Sequence, residues 1–87
     1  MLAMYYIYVL YSKTYLKFYI GSTSNLEGRL QAHNHPANKG WTKSFQPWVI
    51  IYNETFNTKS QAMAREKQLK SAKGREFIKN IIHSRQW

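Results

Sequence analysis

The sequence contains no cysteine and no aspartate. Without cysteine there are no disulfides, thiolate zinc sites or cysteine nucleophiles, and this composition is consistent with a reducing cytoplasm. Glutamate alone supplies the four acidic side chains, and no two of them are close in sequence. Nucleases that hold their metal ions in a cluster of carboxylates are therefore excluded.

Long hydrophobic runs are also missing. The apolar N-terminus, residues 1–15, lacks the basic n-region of a signal peptide, and it is too short and too rich in tyrosine to span a membrane. No other stretch approaches the ~18–20 apolar residues that a transmembrane helix needs, and neither end carries a lipidation motif. We therefore expect a soluble, cytoplasmic protein with no membrane partner.

Negative charge is scarce compared with positive charge. The chain has 13 lysine and arginine residues and four acidic ones, for a formal charge of +9, and most of the bases lie in residues 39–87. Such a field attracts polyanions, and nucleic acid is the partner that it favours. A membrane-surface helix is a weaker alternative, because the basic segment has no aromatic apolar face. Charge alone does not distinguish DNA from RNA.

Aromatic residues are abundant and make up 16% of the chain. A sequence of 87 residues without an internal repeat predicts one domain, residues 1–87. A domain of this size buries only ~60–65% of the surface that its unfolded chain exposes. Its stability must therefore come from packing, with the aromatic side chains as the main source.

Runs of β-branched and aromatic residues predict three strands, at residues 5–11, 17–23 and 48–56. The first two strands are joined by a short polar segment and predict an antiparallel hairpin. A helix follows the hairpin, with Thr23 or Ser24 as its N-cap, and runs toward Pro36.

Two more helices are predicted in the second half of the chain. Apolar residues at helical spacing indicate one over residues 58–72, which Gly74 interrupts before a short third helix over residues 75–84. The segment 34–47 has no clear period, and a loop of this length in so small a domain is typical of a functional segment. The order β-β-α-β-α-α predicts an α+β fold, a three-stranded, largely antiparallel sheet flanked by helices.

The hairpin places polar aromatic residues on one face of the sheet. If it closes tightly at residues 13–14, Tyr8 lies opposite Tyr19, and Gly21 lies opposite Tyr6 on the same face. A shift of the register by two positions keeps these residues on that face, whereas a shift by one does not. Ordinary cross-strand aromatic packing is the alternative interpretation of the tyrosine pair.

The first helix carries a cation and an imidazole beside its apolar residues. Arg29 and His33 are four residues apart on one face, next to Leu26 and Leu30. Taken alone, Arg29 is consistent with a boundary residue whose guanidinium extends to water, and His33 with a histidine that packs or caps. Their presence together favours a functional site.

Glu66 occupies a position where the pattern of the second helix predicts an apolar residue. Ala62, Met63 and Leu69 surround it at helical spacing. A buried carboxylate needs a cation, which is either Lys70 at i+4 or a divalent metal ion. Glu54 and Glu76 have the pattern of surface residues, so the sequence offers one carboxylate as a metal ligand.

Five segments in this order resemble the GIY-YIG nuclease domain, and the resemblance extends from about Met4 to Ile82. The segments are YIYVL (6–10), YIGST (19–23), NLEGRLQAH (25–33), YNETF (52–56) and AMAREKQLK (62–70). The chain is similar to the small stand-alone bacterial members of that family, of the excinuclease C N-terminal type. Tyr6 departs from the motif, which has glycine at that position.

The resemblance implies hydrolysis of DNA phosphodiesters with one divalent metal ion, Mg²⁺ or Mn²⁺. Carried over by position, it implies catalytic roles for Tyr8, Tyr19, Arg29, His33 and Glu66, with Glu66 as the metal ligand. It further implies that Gly21 lets the substrate backbone approach. Asn80 is matched loosely to a polar residue that some members use near the site.

The chemistry of the reaction suggests a role for each of these side chains. Tyr8 is the predicted general base or water-positioning group, made more acidic by Arg29 and the metal and assisted by His33 as a proton relay. Arg29 donates to the developing charge, and Tyr19 orients the phosphate or the water. The predicted contacts to the nucleic-acid backbone are Lys39, Lys43, Lys67, Lys70 and Lys73, for which an ordinary solvated face is the alternative.

Three hypotheses remain open from the sequence. The first is a metal-dependent endonuclease acting on DNA in repair, recombination or defence. The second is a noncatalytic nucleic-acid-binding module that keeps the fold, and the third is a small basic structural protein that packs DNA or ribosomal RNA. Larger family members gain specificity from an appended domain, so we allow for a protein partner or a separate targeting subunit. The sequence does not determine the oligomeric state.

Overall fold

A single antiparallel sheet of three strands organises the molecule, in the spatial order β2-β1-β3. The computed structural model describes residues 4–85, and the ends of the predicted domain 1–87, residues 1–3 and 86–87, lie outside this range. The elements are β1 (Tyr5–Ser12), β2 (Lys17–Thr23), α1 (Leu26–Asn34), a 3₁₀ helix (Trp41–Phe45), β3 (Val49–Phe56), α2 (Lys59–Leu69) and α3 (Ala72–Ser84). The predicted α+β fold and its β-β-α-β-α-α order are confirmed.

The two faces of the sheet bury different layers of side chains. On one face, alternate residues of β1 such as Ile7 and Val9 pack with Ala62 and Leu69 of α2 and with Ile78 of α3. On the other face, Tyr8 and Leu10 of β1 pack with Trp48, Leu26 and Leu30. Because side chains alternate along a strand, the central strand β1 contributes to both cores. The small domain thus has helices on both sides of its sheet.

The hairpin register differs from the predicted one by two positions. Tyr8 lies opposite Gly21, and Tyr19 lies opposite Leu10. The loop is longer than predicted because Ser12 pairs with Lys17, and Leu16 adopts a positive φ of 56°. A shift by two preserves the pleat, so Tyr8, Tyr19 and Gly21 still share one face.

Helix α1 begins and ends at side chains that bond to the backbone. Its N-cap is Asn25, whose side chain accepts a hydrogen bond from the Gly28 N–H at 3.0 Å, and neither Thr23 nor Ser24 has this role. It ends at Asn34, whose side chain bonds both backbone groups of Trp48, at 2.7 and 2.9 Å. These bonds hold the end of α1 against the start of β3, two residues before Pro36.

The break between α2 and α3 lies at residues 70–71, and Gly74 does not cause it. Ser71 is the N-cap of α3, and its hydroxyl accepts a hydrogen bond from the Gly74 N–H at 3.2 Å. Gly74 is buried in the first turn of α3, where a Cβ atom would lie 2.4 Å from the Leu69 Cα. Close contact between the two helices is therefore the reason for glycine at this position.

Replacing Gly74 with alanine is expected to lower the free energy of unfolding by about 1–3 kcal/mol, because the new methyl group meets backbone atoms that cannot rotate away. Urea unfolding followed by circular dichroism measures the change. Lys73→Ala is the matched control, since Lys73 is exposed in the same turn and should change stability by less than about 0.5 kcal/mol. Equal effects of the two substitutions would contradict the interpretation.

Candidate active site

Tyr8 is the centre of a cluster of polar side chains on the α1 side of the sheet. Its side chain is 1% exposed, and its hydroxyl lies 3.0 Å from Nε2 of His33. The Tyr8 ring lies over Gly21, where a Cβ would be 2.5 Å from the Tyr8 hydroxyl. The space above Gly21 therefore holds the Tyr8 phenol. The predicted role of Gly21, to let the substrate backbone approach, stays a prediction.

Replacing Gly21 with alanine is expected to break the Tyr8–His33 hydrogen bond, because the new methyl group would lie 2.5 Å from the Tyr8 hydroxyl and displace the ring. We expect the free energy of unfolding to fall by about 1–3 kcal/mol. Nuclear magnetic resonance of the His33 imidazole, recorded as a function of pH, reports the loss of the hydrogen bond. An unchanged His33 titration in a folded Gly21→Ala variant would show that the phenol does not depend on this glycine.

A chain of hydrogen bonds continues from His33 into the loop that precedes β3. Nδ1 of His33 lies 2.9 Å from the hydroxyl of Thr42, which also accepts a hydrogen bond from the Asn38 side-chain amide at 2.8 Å. The Asn38 amide and the Gln46 amide both donate to the His33 carbonyl oxygen. Thr42 and Asn38 thus orient the imidazole toward Tyr8. The only sequence signal for these two residues was the unusual length of the loop.

Burial determines the protonation of both ring side chains. It raises the pKa of Tyr8, and although the Arg29 guanidinium acts in the opposite direction, the effect of burial is larger. The pKa of His33 is lowered, first by burial and then by the charge of Arg29. At neutral pH the pair is therefore a neutral phenol hydrogen-bonded to a neutral imidazole. The Arg29 effect has the predicted direction, but it does not produce a phenolate.

Tyr19 and Arg29 complete this side of the cluster. The Tyr19 ring centroid lies 4.8 Å from the His33 ring and 6.2 Å from the Tyr8 ring. Arg29 is exposed and lines two cavities, one of about 360 Å³ with Tyr19 and His33, and one of about 380 Å³ with Ser22 and residues of α2. Its guanidinium therefore lies between the tyrosine cluster and α2.

Glu66 reaches the same region from the opposite face of the sheet. Its carboxylate interacts with the hydroxyl of Ser22 on the edge strand β2, and its charge contributes to the raised pKa of Tyr8. The prediction that buried apolar residues surround Glu66 is only partly correct, because Met63 is 53% exposed whereas Ala62 and Leu69 are buried.

The cation beside Glu66 in this structure is Lys70. The Lys70 ammonium lies 2.8 Å from the carboxylate, whose side chain is 23% exposed. Burial acts to raise the pKa of Glu66, but hydrogen bonds with Lys70 and Ser22 hold it below its usual value. Glu66 is therefore ionised at neutral pH. The i+4 pairing, one of the two alternatives drawn from the sequence, is present.

A divalent metal ion is compatible with this carboxylate. Mg²⁺ keeps several water ligands and needs only one or two carboxylates together with substrate phosphate oxygens. Among residues 4–85 no group of three or more metal-ligating side chains occurs, so Glu66, with the Ser22 hydroxyl beside it, is the donor set that fits. Lys70 would have to release the carboxylate to a metal ion.

The predicted backbone-binding lysines are distributed unevenly around the cluster. Lys70 lines a third cavity, of about 290 Å³, together with Tyr19 and Arg75. Lys39, Lys43, Lys67 and Lys73 are exposed, and the Lys43 ammonium donates to the Pro36 carbonyl. Two cations that were not among the predicted backbone contacts also line these cavities. Lys59 lies in the cavity that contains Arg29, and Arg75 lies in the cavity that contains Tyr19 and Lys70.

Two other polar residues differ from their expected settings. Glu54 is half-buried, not a surface residue, and its carboxylate bonds with Arg65 at 3.0 Å and with the Tyr52 hydroxyl. Asn80 is exposed on α3 and lines neither cavity beside Arg29. Both residues lie outside the cluster around Tyr8.

Comparisons with known proteins show the family of this chain. The sequence profile described as the GIY-YIG catalytic domain matches residues 4–80. A UPF0213 protein of Staphylococcus haemolyticus is 35% identical over 80 residues, which cover 92% of this chain and 96% of the relative. A UPF0213 protein of Natronomonas pharaonis is 37% identical over 71 residues, which cover 82% of each chain. Neither name states an activity.

A solved structure supports the same fold. The solution structure of a UPF0213 protein from Bacillus halodurans superimposes with a TM-score of 0.52 at 23% identity, covering 91% of this chain and 85% of that one. In the part of the chain that the structure describes, no helix is long and apolar enough to cross a membrane. The GIY-YIG domain whose profile matches this chain indicates a nuclease family.

Proposed function

Because this chain belongs to the GIY-YIG family, we propose that it is an endonuclease that hydrolyses DNA phosphodiester bonds with one divalent metal ion, Mg²⁺ or Mn²⁺. The observation that carries the proposal is the convergence of Tyr8, Tyr19, His33 and Arg29 with an ionised Glu66 around strand β2. A cytoplasmic role in DNA repair, recombination or defence agrees with such an activity.

The first requirement of hydrolysis is removal of a proton from the attacking water. A neutral His33 with its proton on Nδ1 donates to Thr42 and leaves Nε2 free to accept the phenol proton of Tyr8, 3.0 Å away. Tyr8, which is 1% exposed in this structure, would then accept the proton of a water that substrate binding brings to its hydroxyl. The pair transfers a proton without a free phenolate, which agrees with the raised pKa of Tyr8.

The second requirement is stabilisation of the negative charge on the phosphate. Arg29, between the two cavities, offers fixed donors to the nonbridging oxygens as the water oxygen bonds to phosphorus and the bond to the leaving 3′ oxygen breaks. Glu66 would hold the metal ion, which supplies Lewis-acid stabilisation when bound. The leaving oxygen takes up a proton from solvent or from the His33–Tyr8 pair.

The experiment that tests the proposal incubates the purified protein with supercoiled, branched and single-stranded DNA and with RNA, each with and without Mg²⁺ or Mn²⁺. Cleavage that requires the metal and falls about 10²- to 10³-fold in Arg29→Ala supports it. Lys79→Ala, which removes an exposed cation from α3, is the matched control. Activity that persists in Arg29→Ala, or that needs no metal, would contradict the proposed site.

One observation favours a second candidate, a nucleic-acid-binding module without catalysis. The Glu66–Lys70 ion pair satisfies the carboxylate in the absence of a metal ion. If this module is the correct description, the wild type binds every substrate in the experiment and cleaves none. Cleavage of any substrate that depends on both metal and Arg29 contradicts it.

A further inference from the structure

Trp41 is an exposed aromatic side chain at the edge of the candidate active site. It is 54% exposed, although it is the first residue of the 3₁₀ helix that contains the buried Thr42. Because the Thr42 hydroxyl is bonded to His33, the backbone beside Trp41 is fixed relative to the Tyr8–His33 pair. The exposed indole therefore has a defined position with respect to the site.

The Trp41 indole packs against two other aromatic rings and still leaves about half of its surface exposed. Its ring centroid lies 4.7 Å from that of Phe45 and 6.0 Å from that of Trp48. Trp48 is buried, and its Nε1 donates to the Thr42 carbonyl at 2.8 Å, so the support is rigid. The aromatic core is filled by Phe45 and Trp48, and packing alone does not require a further exposed indole.

Cationic residues line both of the cavities that Trp41 borders. Trp41 lines the cavity that contains Tyr19 and Arg29, and it also lines the neighbouring cavity that contains Lys70 and Arg75. An exposed aromatic ring beside cationic groups matches the chemistry of a nucleotide, whose base stacks while its phosphates contact the cations. The surface is also continuous with the candidate catalytic cluster, because Tyr19 lines both cavities.

We infer that Trp41 is a stacking surface for an unpaired nucleobase of the DNA strand whose phosphate lies at Arg29, an inference that rests on the proposed function. A base inside an intact duplex is stacked on both sides and is not available to the indole unless it is first unstacked, which costs energy. The binding site therefore favours single-stranded DNA, or a duplex with an unpaired nucleotide at the cleavage position, over a fully paired duplex.

The test measures binding without metal, so that it does not depend on cleavage. The probe is a labelled single strand of about 12 nucleotides, used alone or annealed to its complement, with fluorescence anisotropy recorded in EDTA. Trp41→Ala is expected to weaken binding of the single strand by about 5- to 150-fold, whereas Trp41→Phe keeps most of the affinity. For the paired duplex, the same Trp41→Ala substitution is expected to weaken binding by less than about twofold.

A second measurement removes the base from the probe. When an abasic site is moved along the strand, one position is expected to weaken binding by the wild type and to have no effect on Trp41→Ala, because the base and the indole contact each other. Phe77→Ala is the matched control, since Phe77 of α3 is 40% exposed beside the guanidinium of Arg65 and lies away from the cluster. It should not change binding of either probe.

The outcomes separate this inference from the proposed function. Equal losses for single strand and duplex, or an abasic effect that is the same in Trp41→Ala and wild type, would overturn the stacking role even if metal-dependent cleavage is observed. Absence of wild-type binding to every DNA probe would overturn both. A larger loss for the single strand, together with an abasic effect that disappears in Trp41→Ala, supports the inference.

Discussion

Replacing Glu66 with glutamine is expected to lower metal-dependent cleavage by about 10³-fold, equivalent to ~4 kcal/mol of transition-state stabilisation. Glutamine keeps the size of the side chain but removes the charge that would hold the metal ion. The fold should be unaffected, because the lost Glu66–Lys70 pair is an i,i+4 contact of a half-exposed lysine, and such pairs contribute only about 0.3–0.5 kcal/mol. Loss of activity in a folded variant therefore reports on the metal.

Direct measurement of metal binding separates this effect from others. Isothermal titration calorimetry with Mn²⁺ should show weaker binding in Glu66→Gln than in the wild type. It should show tighter binding in Lys70→Gln, because the ammonium no longer competes for the carboxylate. Glu76→Gln is the matched control, since Glu76 is an exposed carboxylate on α3. Full cleavage by Glu66→Gln would rule out this residue as the metal ligand.

Replacing Tyr8 with phenylalanine is expected to lower the cleavage rate by about 10²- to 10⁴-fold, the usual contribution of one group in general acid–base catalysis. The substitution keeps the ring that packs over Gly21 and removes the hydroxyl bonded to His33. Because His33 Nε2 then lacks its partner in a buried site, the free energy of unfolding should fall by about 1–3 kcal/mol. Single-turnover cleavage assays and urea unfolding measure the two effects.

Tyr11→Phe is the matched control for this prediction. Tyr11 is also buried on β1, but its side chain belongs to the core on the opposite face of the sheet. Removing the Tyr11 hydroxyl should leave the cleavage rate within about twofold of the wild-type rate. If Tyr11→Phe and Tyr8→Phe lose activity to the same extent, the effect of Tyr8 is one of packing and not of proton transfer.

The His33–Tyr8 pair also predicts how stability and activity depend on pH. The pKa of His33 in the folded protein is lowered below its usual value of 6.5, so the unfolded chain binds a proton more readily than the folded one. This contribution to stability is fully present above about pH 6.5 and is lost as the pH falls toward the folded-state pKa. Cleavage should decrease over the acidic side of the same range, because a protonated His33 cannot accept the phenol proton. Thermal unfolding and cleavage rates between pH 5 and 8 measure both effects.

The chemical identity of the candidate site could be predicted from the sequence. Tyr8 and Tyr19 share a sheet face because side chains alternate with a period of two, and this holds for either of two hairpin registers. Arg29 and His33 share a helix face because they are four residues apart. These are local properties of a strand and a helix, so the sequence is sufficient to predict them.

The partners of these residues could not be predicted in the same way. Thr42 and Asn38 are joined to His33 by hydrogen bonds between α1 and an irregular loop, and no local period relates them. The contact between Gly21 and Tyr8 could not be predicted either. The Tyr8 side chain from the neighbouring strand lies against Gly21 because of the hairpin register, and that register depends on the length of the loop. Contacts of this kind depend on how separate elements pack.

The sequence by itself determined the strand and helix order, the basic charge and the residue types available for chemistry, because composition and periodicity act over a few neighbouring positions. Only the tertiary structure decided that Glu66 bonds with Ser22 of the edge strand, near enough for its charge to act on Tyr8, that Lys70 pairs with it, and that burial keeps Tyr8 protonated. The physical reason is that burial, desolvation and pairing of charges depend on which elements pack together, and a linear sequence does not specify those distances.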